Sequence, residues 1–462
     1  MKRKIYKELV TWKNTQAGST VLLIEGAGCV GKSYVAEEFA KNEYRSYILI
    51  DFKTAPKEVT DIFEGCRNDP DTLLLYLSNF YKVELHERET LFLLNDVQFC
   101  PEARAALKNL LKDGRYDYVE TISLISMSKN KKAGEEELLS PEEEKRIKMH
   151  PLDFEEFLWA MEEETLMNRI KGCFAGRGRM GLMLHRKAMD FFKRYVLVGG
   201  MPQAVAEYVR TNDLGRVNGI KQEILELYRA DIIAHTESYD GKVLRIFENV
   251  PSQLQKRNIK FRLSSLEKGE RSQDYEDAML CLEDSMIVNL SRNFIDTGDG
   301  LKLKMGRMSV KCYMLDTGLL IAHAFGGDFV AREDGGRKLL FDKLEASKRM
   351  IVENVIAQML VASGHKLYFY SNTTRTDANS RMEIDFLVAK DGVKGGHELS
   401  PVEVKVGRNY TVNALNKFRG KFDSQLDVPY LLHEEDLKEG NGISFLPIYM
   451  TPLINNMDDF MK

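Results

Sequence analysis

The stretch VLLIEGAGCVGKSYVAEEF, residues 21–39, combines an apolar run, a glycine-rich turn and a helical pattern. Residues 26–33 satisfy G-x-x-x-x-G-K-[ST], in which the backbone N–H groups of a loop and the N-terminus of the next helix surround phosphate oxygens. An apolar strand before the glycines and a helix after them are the context that this pattern requires. The stretch therefore predicts a phosphate-binding loop at the edge of a parallel α/β sheet. The alternative is a glycine-rich turn that contains Lys-Ser by coincidence.

The predicted loop gives a set of nucleotide contacts. Lys32 would reach the β- and γ-phosphates of ATP, and Ser33 would ligate Mg²⁺. Cys29 occupies a variable position, where we interpret it as a spectator; the alternative is a reactive thiol whose pKa the helix dipole lowers. The predicted nucleotide-binding residues are Gly26, Ala27, Gly28, Cys29, Val30, Gly31, Lys32, Ser33 and Tyr34.

A second stretch, LFLLNDVQFCP at residues 91–101, ends a buried strand in the polar pair Asn95-Asp96. A nucleotide-hydrolysing protein is expected to carry two acids there, one for the magnesium shell and one to polarise water. In one assignment Asn95 replaces the metal-facing acid and Asp96 is the catalytic base. In the other, Asp96 takes the metal role and no base remains. Asn carries no charge and should hold Mg²⁺ more weakly than Asp, so both assignments predict that hydrolysis suffers more than binding.

The composition predicts a globular protein of two or three domains. The chain has 462 residues, is 44% hydrophobic and 29% charged, and has a net charge of −4. Apolar runs are of strand length, which predicts no membrane segment, and the basic, amphipathic N-terminus predicts a cytoplasmic location. Six cysteines without a CxxC pair argue against a disulfide framework and against a zinc site.

The order of patterns along the chain predicts an α/β protein with four parts. We predict a P-loop nucleotide-binding domain with a parallel sheet at residues 1–160, a helical subdomain at 161–244, a winged-helix-like domain at 245–335, and a restriction-endonuclease-like α/β domain at 336–462. Strand-helix alternation carries the first part, and helical spacing followed by two strands carries the third. The charged segment 129–148 is predicted to be a solvated loop.

Acidic residues near the C-terminal end form a further constellation. Restriction-endonuclease-like folds combine a helix carrying Glu, a strand carrying Asp and a strand carrying Glu-x-Lys. Here these are Glu353, Asp385, and Glu403 with Lys405. Strand periodicity places Glu403 and Lys405 on one face. We predict that Glu353, Asp385 and Glu403 hold Mg²⁺ and that Asp385, Glu403 and Lys405 are catalytic. The alternatives are an ordinary half-exposed strand and a fold of this type that serves as a scaffold.

Several motifs together resemble a known family. PLDFEEFL (residues 151–158), VGGMPQAV (198–205), NDVQFCPEA (95–103) and YMLDTGLL (313–320), behind a P-loop, look like the prokaryotic AAA-superfamily ATPases that carry a C-terminal domain of unknown function. That family usually has DEIQ where this chain has NDVQ, so the chain departs from it at both acidic positions. The resemblance implies ATP binding, a helical or winged-helix middle and a nuclease-like C-terminal region of the PD-(D/E)xK type.

A basic segment suggests a partner. QKRNIKFRLSS, residues 255–265, concentrates Lys256, Arg257, Lys260 and Arg262, which would contact DNA phosphates; the alternative is a solvated helix face. Arg271 is a candidate arginine finger toward a neighbouring copy in a homo-oligomer. The leading hypothesis is a nucleotide-regulated, DNA-associated protein, and the alternatives are a non-catalytic switch acting through a protein partner and an ATPase motor.

Overall fold

The computed structural model describes residues 1–123, 139–256, 272–296, 301–303, 310–326, 347–372, 381–389, 399–407 and 410–454. The chain groups into two compact units. The first contains Met1–His150, Tyr228–Ser238 and Asp284–Met286, and the second contains Pro151–Leu227, Tyr239–Glu283 and Ile287–Lys462. None of the described helices is long and apolar enough to span a bilayer.

The first unit is built on a five-stranded parallel sheet. Its strands are β1 (Val21–Glu25), β2 (Ser46–Asp51), β3 (Thr90–Asn95), β4 (Asp117–Ile122) and β5 (Glu144–Lys148). They lie in the order β2-β3-β4-β1-β5, and every adjacent pair is parallel. Because β4 lies between β1 and β3, the carboxyl ends of these three strands meet at one edge. The predicted parallel P-loop sheet is therefore confirmed.

Helices pack against this sheet through an apolar core. The helices are α1 (Ile5–Thr15), α2 (Lys32–Glu43), α3 (Lys57–Cys66), α4 (Pro70–Tyr81) and α5 (Pro101–Asp113). Every residue of β1 and of β3 is buried, as expected for parallel strands covered on both faces. Ile50 and Leu94 belong to one buried cluster with Phe63 of α3, Leu77 of α4 and Leu107 of α5.

The structure corrects the end of the predicted solvated loop at residues 129–148, of which residues 129–138 lie outside the described part of the chain. Its last part forms the edge strand β5, which pairs with β1 from Val21↔Glu144 to Glu25↔Lys148. Ile147 is buried, and the buried Glu144 carboxylate receives Arg104 from α5 and Arg146 from its own strand. The prediction was wrong here because it took the high density of charge as a sign of a loop. The edge strand of a sheet also accommodates charged side chains when they are paired.

The remaining helices lie beyond residue 150. They are α6 (Phe154–Ala160), α7 (Glu164–Ala175), α8 (Leu182–Val198), α9 (Pro202–Thr211), α10 (Leu214–His235), α11 (Lys242–Leu254), α12 (Ser272–Asp284), α13 (Thr317–Phe325), α14 (Lys348–Ala362) and α15 (Asn413–Phe422). The predicted helical middle of the chain is confirmed.

A mixed nine-stranded sheet forms the core of the second unit. Its strands are β6 (Val288–Asp296), β7 (Leu301–Leu303), β8 (Val310–Met314), β9 (Tyr368–Asn372), β10 (Met382–Ala389), β11 (Leu399–Val404), β12 (Tyr430–His433), β13 (Lys438–Gly440) and β14 (Ile443–Pro447). The order is β13-β14-β12-β11-β10-β9-β6-β7, with β8 also paired to β6. Since β6 pairs with β9, the strands predicted for the winged-helix-like part and those of the C-terminal part share one sheet. The four predicted domain boundaries stay a prediction.

Three of the motifs that carry the family resemblance meet in the second unit. Asp316 caps α13 by accepting from Leu319 N at 2.9 Å, and it also accepts from Gly200 N at 2.6 Å. Gly199 has φ +84°, and a Cβ there would approach Asp316 Oδ1 to 2.3 Å, so this position requires glycine. Gly200 O in turn accepts from Leu152 N at 2.7 Å. The motifs are therefore joined as a packing element of the fold.

Candidate functional site

The predicted phosphate-binding loop runs from β1 to α2 and folds around Lys32. Lys32 is the first residue of α2, and its Nζ donates to Gly26 O at 2.9 Å, Ala27 O at 2.8 Å and Ser123 Oγ at 3.0 Å. Burial lowers the Lys32 pKa to about 8, although the nearby Asp96 carboxylate opposes this shift. The ammonium group therefore points into the loop. A phosphate bound there would stabilise the charged form of Lys32, which burial alone disfavours.

Ser33 and Asn95 face each other at the carboxyl edge of the sheet. Ser33 Oγ donates to Asn95 Oδ1 at 2.6 Å, and Thr121 Oγ1 donates to the same oxygen. Asn95 is thus the residue of the polar pair that lies beside the predicted magnesium ligand. This geometry favours the assignment in which Asn95 replaces the metal-facing acid. Ser33 Oγ and Asn95 Oδ1 are hard oxygen donors that fit the shell of a magnesium ion bound with ATP.

Asp96 has different hydrogen-bond partners from Asn95. Its backbone is left-handed, with φ +52°, and its Oδ1 accepts from Gln98 Nε2 at 3.1 Å. Its backbone N–H donates to Thr121 Oγ1 at 3.1 Å. A single hydroxyl, that of Thr121, therefore contacts both residues of the pair.

Two residues from distant parts of the chain hold the outside of the loop. Tyr228 Oη donates to Gly28 O at 2.8 Å, and Arg3 Nη1 donates to Val30 O at 2.9 Å. Both bonds end on carbonyl groups of the loop, which also contains Cys29 at φ +64°. The loop is therefore held in its turn from two sides.

Cys29 and Tyr34, two of the predicted nucleotide contacts, differ in their burial and in their partners. Cys29 is partly buried, and burial raises its pKa, which favours the spectator interpretation over a reactive thiol. Tyr34 is 52% exposed, and its hydroxyl accepts from the N-terminal ammonium of Met1 at 3.2 Å. A contact between Tyr34 and the nucleotide stays a prediction.

Sequence reasoning missed the residues that support the loop. Thr121 and Ser123 carried a readable signal, because they are hydroxyl residues at the end of the buried strand that adjoins β1. No local signal marks Arg3 or Tyr228, since each reaches the loop only through the tertiary fold.

The predicted carboxylates of the C-terminal part come from one helix and two adjacent strands. The pair Phe386↔Val402 sets the register of β10 and β11, so Asp385 lies opposite Glu403. Asp385 Oδ2 accepts from Val404 N at 2.9 Å, and Lys405 Nζ donates to Glu403 Oε1 at 2.5 Å. Glu353 lies on α14 and is 1% exposed.

Cations surround these carboxylates. Arg349 Nε donates to Glu353 Oε1 at 2.6 Å, and Arg349 Nη2 lies 3.7 Å from Asp385 Oδ1. The fully buried Lys311, from β8, places Nζ 3.9 Å from Glu353 Oε2. Burial is the chief cause that raises the pKa values of Glu353 and Glu403. Sequence reasoning missed both Arg349 and Lys311.

The fit of this cluster to a metal ion is mixed. Carboxylate oxygens suit Mg²⁺, and the buried Glu403 Oε2 has no hydrogen-bond partner in the described part of the chain. However, no group of three or more His, Cys, Asp or Glu side chains among the described residues is placed to hold a metal ion. The role of Glu353, Asp385 and Glu403 as metal ligands stays a prediction.

Most of the predicted DNA-binding segment lies outside the described residues. That applies to Arg257, Lys260 and Arg262, and also to the candidate arginine finger Arg271. Lys256 is described, and its Nζ donates to Gln253 Oε1 at 3.0 Å.

Comparison with protein families finds three separate matches. Residues 18–158 match the model of an AAA domain, residues 189–328 match a domain of unknown function (DUF8612), and residues 348–450 match another (DUF4143). Residues 18–158 are thus similar to an AAA domain, as the resemblance implied. The family that matches residues 348–450 is a domain of unknown function, so this match identifies no activity. Comparison with curated proteins found no match.

Solved structures gave matches at low similarity. Orc1 from Aeropyrum pernix in complex with DNA is 11% identical, with a TM-score of 0.28, over 71% of this chain and 93% of the other. AMPPCP-bound DnaA from Aquifex aeolicus is 14% identical, with a TM-score of 0.27, over 76% and 92%. A signal transduction ATPase with a tetratricopeptide repeat sensor from Pyrococcus horikoshii is 13% identical, with a TM-score of 0.28, over 77% and 47%. At this similarity, no property of these proteins is transferred to the chain.

Proposed function

We propose that this protein binds ATP with Mg²⁺ at the loop of residues 26–33 and hydrolyses it slowly. The observation that carries the proposal is the contact between Ser33 Oγ and Asn95 Oδ1, at 2.6 Å. It supports a role for the uncharged Asn95 amide at the position where a charged acid would strengthen the proposed magnesium site. The rest of the cradle is complete, since Lys32 points into the loop and Asp96 provides one acid.

Mg²⁺ would neutralise charge on the phosphates, and the protein would position them. Lys32 supplies the positive charge inside the loop, Ser33 and Asn95 supply neutral oxygens, and Asp96 is the candidate base. Replacing a carboxylate by an amide removes attraction for Mg²⁺ that is most valuable when charge develops in the transition state. Binding therefore changes less than turnover, which suits a protein that responds to bound nucleotide.

The proposal extends to DNA, and an alternative proposal competes with it. In the extension, nucleotide binding regulates association with DNA, which the basic composition of residues 255–265 supports. The rival is a switch that holds ATP without hydrolysis and acts through a protein partner or a second copy. DNA binding that depends on ATP supports the first, and tight ATP binding with neither phosphate release nor DNA binding supports the second.

The Lys32→Ala variant tests nucleotide binding. Loss of charged hydrogen bonds worth roughly 1.5–3 kcal/mol should weaken ATP binding by about 10- to 100-fold. The matched control is Lys41→Ala, since Lys41 lies on the same helix but pairs with Glu37 at 2.8 Å. Binding is measured by calorimetry on variants whose circular dichroism matches the wild type. Unchanged affinity in Lys32→Ala would remove the assignment.

Cleavage of nucleic acid at Asp385, Glu403 and Lys405 is a second candidate function. The buried Glu403 Oε2, which has no hydrogen-bond partner among the described residues, favours it, because such an oxygen is available to an added cation. If it operates, Mg²⁺-dependent cleavage of DNA disappears in Lys405→Ala; if wild-type protein cleaves no DNA at any Mg²⁺ concentration, this candidate is rejected.

A further inference from the structure

The carboxylate cluster of the C-terminal sheet contains a cation of its own. Arg349 precedes Glu353 by one turn of α14, and one guanidinium reaches two of the predicted metal ligands. Its Nε donates to Glu353 Oε1 at 2.6 Å, and its Nη2 lies 3.7 Å from Asp385 Oδ1. A divalent ion shared by Glu353 and Asp385 would need these same oxygens.

We infer that Arg349 is an internal counter-ion that competes with divalent metal for Glu353 and Asp385 and keeps the cluster free of metal at rest. Two acids close to each other need positive charge nearby, and either a metal ion or a guanidinium supplies it. Metal and guanidinium repel each other and share the same oxygens, so each excludes the other. This inference deepens the second candidate function, the cleavage of nucleic acid. Its evidence is the geometry of the cluster, so metal binding can be tested separately from cleavage.

The surroundings of Arg349 allow such an exchange. Its side chain is 51% exposed, whereas that of Glu353 is 2% exposed. The arginine can therefore leave toward solvent while the carboxylate stays in place. The buried Lys311 and Tyr313 hold the other oxygen of Glu353, since Lys311 Nζ lies 3.9 Å from Oε2 and Tyr313 Oη donates to it at 3.2 Å. Arg349 is thus the movable cation of the cluster.

Metal binding tests the inference separately from cleavage. Mn²⁺ is titrated into the full chain without nucleotide, and free Mn²⁺ is followed by electron paramagnetic resonance. Arg349→Met keeps the alkyl stem and removes the charge, so Mn²⁺ affinity should rise by about tenfold or more. Adding Asp385→Asn to that variant should abolish the gain, which assigns it to this cluster.

Matched controls keep the result interpretable. Arg194→Met removes another arginine that pairs with an acid one turn away, Asp190, and should leave Mn²⁺ affinity unchanged. Arg349→Lys keeps the positive charge and should retain the low wild-type affinity. If Arg349→Met does not fold, Arg349→Gln removes the charge in its place and should show the same gain in Mn²⁺ affinity. Equal Mn²⁺ affinity in the wild type and Arg349→Met would overturn the inference, as would tight wild-type binding that Asp385→Asn removes. Either result leaves the cleavage question to the Lys405→Ala assay.

Discussion

At the scale of single residues, the uncharged Asn95 and the buried Lys32 define the proposed nucleotide site. The sequence identified both, because a loop pattern and a strand end are local features. It did not show which member of the pair Asn95-Asp96 faces Ser33. The left-handed backbone of Asp96 and the Thr121 hydroxyl decide this, and both depend on the neighbouring strand β4.

Lys32 also predicts a pH dependence of ATP binding. Burial lowers its pKa to about 8 without nucleotide, and bound phosphates favour the charged form. Above about pH 8, binding must therefore take up a proton, so affinity falls with rising pH by up to about tenfold per unit. Calorimetry from about pH 7 to about pH 9.5, in buffers of different ionisation enthalpy, measures both the affinity and the proton uptake. A dissociation constant that stays flat over this range would contradict the role of Lys32.

At the scale of elements, the strands of the first sheet followed from their apolar runs. The exception was β5, where paired charges concealed an edge strand. In the C-terminal sheet, period-two spacing predicted that Glu403 and Lys405 share a face. It did not predict the counter-ions: Lys311 comes from β8, and Arg349 was readable only as a neighbour of Glu353 on the same helix.

Helix α10 carries a testable contact with the loop. Tyr228 is 200 residues away from Gly28 in the chain, so no sequence pattern connects them. Tyr228→Phe removes one hydrogen bond worth roughly 0.5–1.5 kcal/mol, and ATP binding should weaken by about 2- to 10-fold. Tyr6→Phe is the matched control, because Tyr6 Oη donates to Glu43 at 3.0 Å, away from the loop. If both variants bind ATP like the wild type, Tyr228 does not support the loop.

At the scale of the whole molecule, a parallel P-loop sheet that is similar to an AAA domain is followed by a helical region and a mixed sheet. The order of these parts followed from the sequence, and the motifs of residues 151–158, 198–205 and 313–320 proved to be a packing joint in the second unit. The family resemblance that these motifs carry therefore gives information about the fold more than about the chemistry. The proposed chemistry belongs to the loop of residues 26–33 and to the carboxylate cluster, and the two are tested separately.

The central claim is that Asn95 makes this protein a better ATP binder than ATPase. Single-turnover hydrolysis of ATP by the wild type and by Asn95→Asp tests it most directly, with Asp96→Asn in both backgrounds as the control for the base. Restoring the acid should raise the rate by about tenfold or more, equivalent to roughly 1.4 kcal/mol of barrier, while ATP affinity changes less. Asp96→Asn should remove that gain. An Asn95→Asp rate equal to that of the wild type would contradict the account.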